Sequence, residues 1–193
     1  LLQHHGCKTR LVDFTKSFYT ALFFAVKENY DEDGAVWAIK TKKIRYKMTI
    51  VNNYKHSDEE FARLLVNNSA EWKDRYENCE DLMMTCAKPE QLNQRLMAQQ
   101  GLFLCPLNFN KSFMENLTCS LNLSGKKEEV KSLTSIEDLT EEVKNGDVIK
   151  ITISHGNKTN ILAHLHKMNL TEATLFPGLD GFARSLNYFA SGL

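Results

Sequence analysis

The first strong hydrophobic pattern in the chain begins at Phe18. Apolar residues at 18, 21, 22, 25 and 26 recur at helical spacing, and Phe23 and Phe24 widen the stripe. A helix apolar on most of its sides is expected to be buried. Thr15 or Ser17 supplies its N-cap. Residues 27–34 are charged and read as a solvated turn, and residues 34–40 carry Val36, Trp37 and Ile39, which favour a strand. An edge strand is expected around residues 48–51. An amphipathic helix is expected over 58–65, with Asp58, Glu59 and Glu60 in the first turn where the helix dipole favours acids. Residues 82–87 form a short apolar run before Pro89 and predict a buried strand. Pro89 opens a helix from Glu90 to about Gln99, ended by Gly101. Residues 102–105 predict another strand, stopped by Pro106.

Residues 108–147 read as a polar insertion and 108–146 as the least structured part of the chain. A small helix fits residues 136–144, with Ser135 and Asp138 as its capping pair. Residues 148–153 alternate like a half-exposed strand. Residues 158–168 predict a helix with Ile161, Leu162 and Leu165 inward, residues 175–181 a tight turn, and residues 182–189 a final helix. Strands and helices interleave without a strict βαβ rhythm and without an internal repeat. The expected fold class is α+β: a mixed, mainly antiparallel central sheet with flanking helices, in a single domain over residues 1–193.

Composition narrows the function classes. The chain has 193 residues, a formal net charge of zero, 42% hydrophobic and 25% charged residues. That is ordinary for a globular protein and gives no global pull towards nucleic acid or an acidic membrane surface. No apolar run approaches the roughly 20 residues of a membrane helix. Five cysteines, none in a C-x-x-C pair, argue against a structural zinc and for a reducing, cytoplasmic setting. N-x-S/T triplets at Asn67, Asn110, Asn116, Asn122, Asn157 and Asn169 would matter only in a secreted protein. The chain starts Leu1-Leu2-Gln3, with neither a Met nor a signal pattern, and is read as a fragment.

Candidate chemistry concentrates near the start, where Gln3, His4, His5, Thr9, Arg10 and Asp13 crowd into eleven positions beside an apolar helix. Arg10 could clamp a phosphate through its planar fork with Asp13 holding the fork, or the two could be a structural ion pair. Thr9 could orient a ribose hydroxyl or bond the local backbone. His4 and His5 titrate near neutrality and point to opposite faces of an extended segment, so one of them at most serves a given pocket. Gln99 and Gln100 can bind a hydroxyl or base edge but cannot act as a general base. One of them is expected to be a packing or turn residue. Arg95 lies one helical turn before Gln99, so both could reach one anionic ligand. Asp180 reads as a cap of the last helix. No histidine joins acids in a metal pattern, and no P-loop, G-x-G-x-x-G, G-x-S-x-G or H-E-x-x-H occurs.

Three separated segments resemble one family. Gln3 to Thr15 (QHHGCKTRLVDFT) is similar to the Q-H-x-G-x-P-T-R-L-L-D-W-T of the FRG domain. Arg95 to Phe103 (RLMAQQGLF) is similar to its R-x-x-A-Q-Q-G-x-F, and Leu175 to Ala183 (LFPGLDGFA) to its L-F-P-D-L-D-G-L-A. Lys8 stands where the family has proline and Phe14 where it has tryptophan. The family's (Phe/Tyr)-Arg-Gly motif is missing here, and its place would lie upstream of Leu1. The resemblance favours His4 over His5 and implies a bacterial or phage protein. Its layout looks like that of ADP-ribosyltransferases, which bind and cleave NAD; that is analogy, and fold likeness does not carry function by itself. The implied roles are His4 and Arg10 as catalytic residues and Gln3, Thr9, Asp13, Arg95, Gln99 and Gln100 as ligand-binding ones, with NAD as the candidate cofactor and a small molecule or nucleotide as partner. A membrane partner is not expected, nucleic acid is disfavoured by the neutral charge, and a protein partner is not identified. The competing function is a non-catalytic protein or nucleic-acid recognition module of a larger bacterial protein.

Overall fold

The computed structural model describes residues 10–44, 82–87, 93–123 and 145–190. The expected strand at 48–51 and the helices at 58–65 and 136–144 lie outside the described residues. In chain order the elements are β1 (Val12–Thr15), α1 (Phe18–Val26), β2 (Gly34–Ile39), β3 (Met84–Ala87), α2 (Gln94–Ala98), β4 (Gly101–Pro106), α3 (Phe113–Ser120), β5 (Val148–Ile153), α4 (Lys158–Lys167), α5 (Glu172–Leu175) and α6 (Leu179–Ala190), with a 3-10 turn, His155–Asn157, before α4. The class is α+β. The strands fall into two sheets, one of order β1-β4-β3 and one pairing β2 with β5. β3 and β4 are antiparallel, with Met84 opposite Pro106 and Ala87 opposite Phe103. No helix among the described residues is long and apolar enough to cross a membrane.

The chain divides into two compact units. One comprises Leu1–Asp13, Ile39–Glu90 and Phe103–Val148; the other comprises Phe14–Ala38, Gln91–Leu102 and Ile149–Leu193. In the first, every residue of β3 is buried, and so are Leu104, Leu107, Leu117 and Leu121. Helix α3 packs on β3, and Asn116 and Ser120 of that helix accept the backbone N–H groups of Met83 and Met84 at 3.2 and 2.7 Å. In the second unit, Phe23, Val26, Val36, Ile153, Leu162, Leu165, Leu175 and Phe176 form one core. α1 packs against α4, and α5 against α6.

Several local readings are corrected. α3 lies in the stretch expected to be least structured. Its cause is a capping box: Ser112 Oγ accepts Glu115 N–H at 3.1 Å, and Glu115 returns the bond to Ser112 N–H at 2.8 Å. α2 begins at Gln94, because Asn93 caps it by accepting Leu96 N–H at 2.8 Å. The left-handed residue at its end is Gln100 (φ 49°), not Gly101. Gly101 is needed for another reason: a Cβ there would stand 2.7 Å from Leu96 Cδ2. α1 is capped by Ser17, whose Oγ accepts Thr20 N–H at 3.2 Å. Its buried residues are Thr20, Phe23 and Val26, while Phe18, Tyr19 and Phe24 are exposed. A nine-residue helix packed on the core along one stripe leaves its other sides at the surface, however apolar they are. At the end of the chain, the expected turn over 175–181 is confined to residues 176–178, between the short helix α5 and α6, which starts at Leu179, earlier than expected, with Asp180 in its first turn.

Candidate functional site

Polar groups gather most densely in the second unit, around the ring of Phe176. Thr171 and Thr174 cap α5 reciprocally, with bonds of 3.0 and 3.2 Å, and so fix Glu172 in the first turn. The chain leaves α5 through Phe176 and Pro177, and α6 starts at once. The two helices meet closely, since a Cβ on Gly181 would stand 1.8 Å from the Phe176 carbonyl oxygen. Only glycine allows that approach, and it holds Phe176 buried beneath α6.

Three cations surround this ring. The guanidinium carbons of Arg95 and Arg184 lie 4.6 and 4.7 Å from its centroid, and Lys27 Nζ lies at 5.3 Å. Such contacts are worth about 0.5–1 kcal/mol when exposed and about 2 when desolvated. They come from three elements: Lys27 from the C-cap of α1, Arg95 from α2 and Arg184 from α6. One carboxylate sits among them. Glu172 Oε1 pairs with Lys27 Nζ at 3.0 Å, and Glu172 Oε2 lies 3.9 Å from Arg184 Nε. Lys27 has a second acid, Glu28, at 2.9 Å.

The cluster leaves two polar atoms unsatisfied. Arg95 Nε and Glu172 Oε2 are both buried and have no hydrogen-bond partner among the described residues. Lys27 and Glu172 retain only 16% and 17% of their side-chain exposure, whereas Arg184 retains 50%. The arrangement therefore has a sealed acid-base pair on one side and a solvent-facing guanidinium on the other. His166 stacks on Phe23 at 6.5 Å. Burial lowers its pKa below the ordinary histidine value, and the nearby Glu172 partly offsets this.

The residues proposed from sequence divide as follows. Arg95 and Gln99 are brought to this cluster. Gln99 Nε2 donates to the Leu175 carbonyl at 3.0 Å, and the Gln99 carbonyl accepts Thr15 Oγ1 at 2.7 Å. Gln100 makes the turn, and its carbonyl accepts Lys16 N–H at 3.1 Å. Arg10 and Asp13 belong to the first unit and are exposed. There the Arg10 guanidinium lies 5.0 Å from the Phe109 ring centroid and donates from Nη1 to the Phe109 carbonyl. Gln3, His4 and Thr9 lie outside the described residues. Among the described residues no three His, Cys, Asp or Glu side chains gather to hold a metal.

Sequence reasoning missed Lys27, Glu172, Phe176 and Arg184 as members of a site. Phe176 stood in a quoted segment, and Arg184 follows that segment directly. Neither carries a local pattern, because the cluster joins Lys27 and Arg95, each from its own distant stretch, to Glu172, Phe176 and Arg184. A model of the FRG domain matches residues 1–34. No curated protein and no solved structure matches the chain.

Proposed function

We propose that this protein is a nucleotide-binding module, with NAD as the candidate ligand, and that Arg95 and Gln99 belong to its binding face. The observation that carries the reading is the buried Arg95 Nε, without a hydrogen-bond partner among the described residues, beside Arg184 on the ring of Phe176. A buried charged donor left unpaired costs more than the 1–3 kcal/mol of a neutral one. A phosphate is the ligand chemistry that a guanidinium satisfies best. Gln99 lies one helical turn away; its Nε2 is held by the Leu175 carbonyl, and its Oε1 is the acceptor it offers to a hydroxyl or base edge. The match of residues 1–34 to the FRG domain supports the resemblance, which implies Gln3, Thr9 and Asp13 from that stretch, and Gln100 from another, as further ligand-binding residues. In a transferase-like reaction, His4 and Arg10 are the proposed catalytic residues.

Isothermal titration of the full chain with NAD tests this. Binding that is lost in Arg95→Met supports the reading. Absence of heat at millimolar NAD removes it. Loss of turnover in His4→Ala with binding intact would separate catalysis from recognition.

A second reading, a protein-recognition module of a larger bacterial protein, is favoured by one face of α6. Leu179, Phe182 and Leu186 recur there at helical spacing and all three are exposed. A partner complex that survives Arg95→Met and is lost in Phe182→Glu would favour this alternative.

A further inference from the structure

The cluster around Phe176 divides its cations unequally. Lys27 is committed, with carboxylate oxygens of Glu28 and Glu172 at 2.9 and 3.0 Å. Arg184 is held only loosely: its Nε is 3.9 Å from Glu172 Oε2, which is ion-pair range and beyond a hydrogen bond. Arg95 Nε has no partner among the described residues. Two guanidinium groups on one ring thus keep donor capacity that no acid among the described residues takes up in a hydrogen bond. Their carbon atoms, 4.6 and 4.7 Å from the same centroid, are no more than about 9 Å apart.

The ring itself offers little to a ligand. Phe176 is buried, and its surroundings already include Lys27, Arg95, Arg184 and an edge-on contact with Phe24 at 5.8 Å. A base or nicotinamide needs an open aromatic face to stack on, and none is presented here. What meets a ligand is positive charge, with the half-exposed Arg184 outermost.

Resting on the nucleotide reading, we infer that Arg95 and Arg184 form a subsite for the pyrophosphate group of the ligand, and that Glu172 acts there as an internal competitor for Arg184. Pyrophosphate matches the arrangement in charge. Its terminal oxygens can each accept from one guanidinium fork, as charge-assisted bonds require. Glu172 sets the selectivity. An anion must outbid one loosely held carboxylate, which a multiply charged diphosphate does better than a singly charged carboxylate or halide. No hydrogen bond of Glu172 to Arg184 has to break for this, while the 3.0 Å contact to Lys27 keeps Glu172 in place.

Inorganic pyrophosphate and NAD, titrated separately into the full chain, test the inference, with melting temperature recorded for each variant. Pyrophosphate is expected to bind. Arg184→Gln, at a half-exposed position, should fold normally and weaken pyrophosphate by about tenfold or more, the loss of roughly one charge-assisted bond. Glu172→Gln should tighten pyrophosphate several-fold while lowering discrimination against chloride. No response to pyrophosphate, or an Arg184→Gln protein that binds it as well as the wild type, overturns the subsite. So does weaker pyrophosphate binding in a folded Glu172→Gln protein. The two readings separate cleanly. Pyrophosphate binding without NAD binding keeps the subsite and removes the nucleotide function. NAD binding that is indifferent to Arg184→Gln and not shared by pyrophosphate does the reverse.

Discussion

Asn116 in the first unit and Arg95 in the second are both polar groups taken from solvent, and the protein treats them in opposite ways. Asn116 is fully buried and uses its whole capacity. Its Oδ1 accepts the N–H groups of Met83 and Asn108, each at 3.2 Å, and its Nδ2 donates to the carbonyls of Asn108 and Ser112 at 3.1 and 2.9 Å. Two acceptor sites and two donors are all that an amide has. Arg95 instead keeps a buried Nε that no described group accepts. A closed network specifies one packing and offers nothing to a ligand. An open one carries a standing cost that a ligand can relieve. The unsatisfied group, rather than the most buried one, marks where recognition is to be sought.

The largest expected effect tests the closed side. Asn116→Ala takes the amide away from Met83 N–H, Asn108 N–H and the Asn108 carbonyl inside a buried region, while the Ser112 carbonyl keeps the backbone N–H of residue 116. At about 1–3 kcal/mol per unsatisfied group, with partial relaxation, the loss should be about 3 kcal/mol or more. That corresponds to a melting temperature lower by roughly 6–12 °C in a chain of this size. A shift below a couple of degrees would mean that this network is not closed in solution.

A chemical probe of the same region comes next. Cys105 is buried in β4, and burial pushes its thiol up to about 11, with the Arg10 charge pulling weakly the other way. An ordinary thiol has a pKa near 8.5, so at pH 8 the thiolate fraction of Cys105 is about two orders of magnitude lower. Alkylation followed by mass spectrometry should label Cys105 far more slowly than Cys119, which is only partly buried. Equal rates would show that β4 opens readily.

Arg95→Met carries the contrast to the open side. The substitution removes a ring contact worth about 0.5–2 kcal/mol and also removes a buried orphan donor whose cost is at least as large. The relief offsets or exceeds the loss, so the stability should fall by no more than about 1 kcal/mol, or rise, while ligand response disappears. A collapse as large as that of Asn116→Ala would make Arg95 a structural residue and erase the distinction drawn here.

Legibility in the sequence followed how locally each feature is specified. α1, β2, β5 and α4 could be read because period and propensity agree over their own length. The helix at Phe113 was equally local, since Ser112 and Glu115 stand at capping-box spacing, but the polar character of its surroundings masked it. Gln99 and Arg95 could be placed together because one helical turn separates them. Phe176, Lys27 and Arg184 could not, because their meeting depends on the end of α1 coming to the α5–α6 segment, and no period within these elements encodes that. The role of Gly181 was likewise hidden: a glycine beside Asp180 reads as a turn, whereas its use is to let α6 approach the Phe176 carbonyl.

The smallest effect concerns His166, and it reports on the cluster from the side. Burial holds its folded pKa below the ordinary value of about 6.5, while Glu172 works to raise it. The unfolded chain therefore binds a proton more readily than the folded one across the interval between the two pKa values. Stability contributed by the neutral ring is complete above about pH 6.5 and is lost as pH falls through that interval. The melting temperature should thus decline modestly from pH 7.5 to pH 5.5, less than the fall from Asn116→Ala because solvent reaches part of the ring. His166→Gln should flatten this portion of the curve. Glu172→Gln should steepen it, since removing the carboxylate leaves burial unopposed and lowers the folded pKa further. A Glu172→Gln protein with an unchanged pH profile would show that the acid exerts no field at His166, and would weaken the case that it exerts one at Arg184.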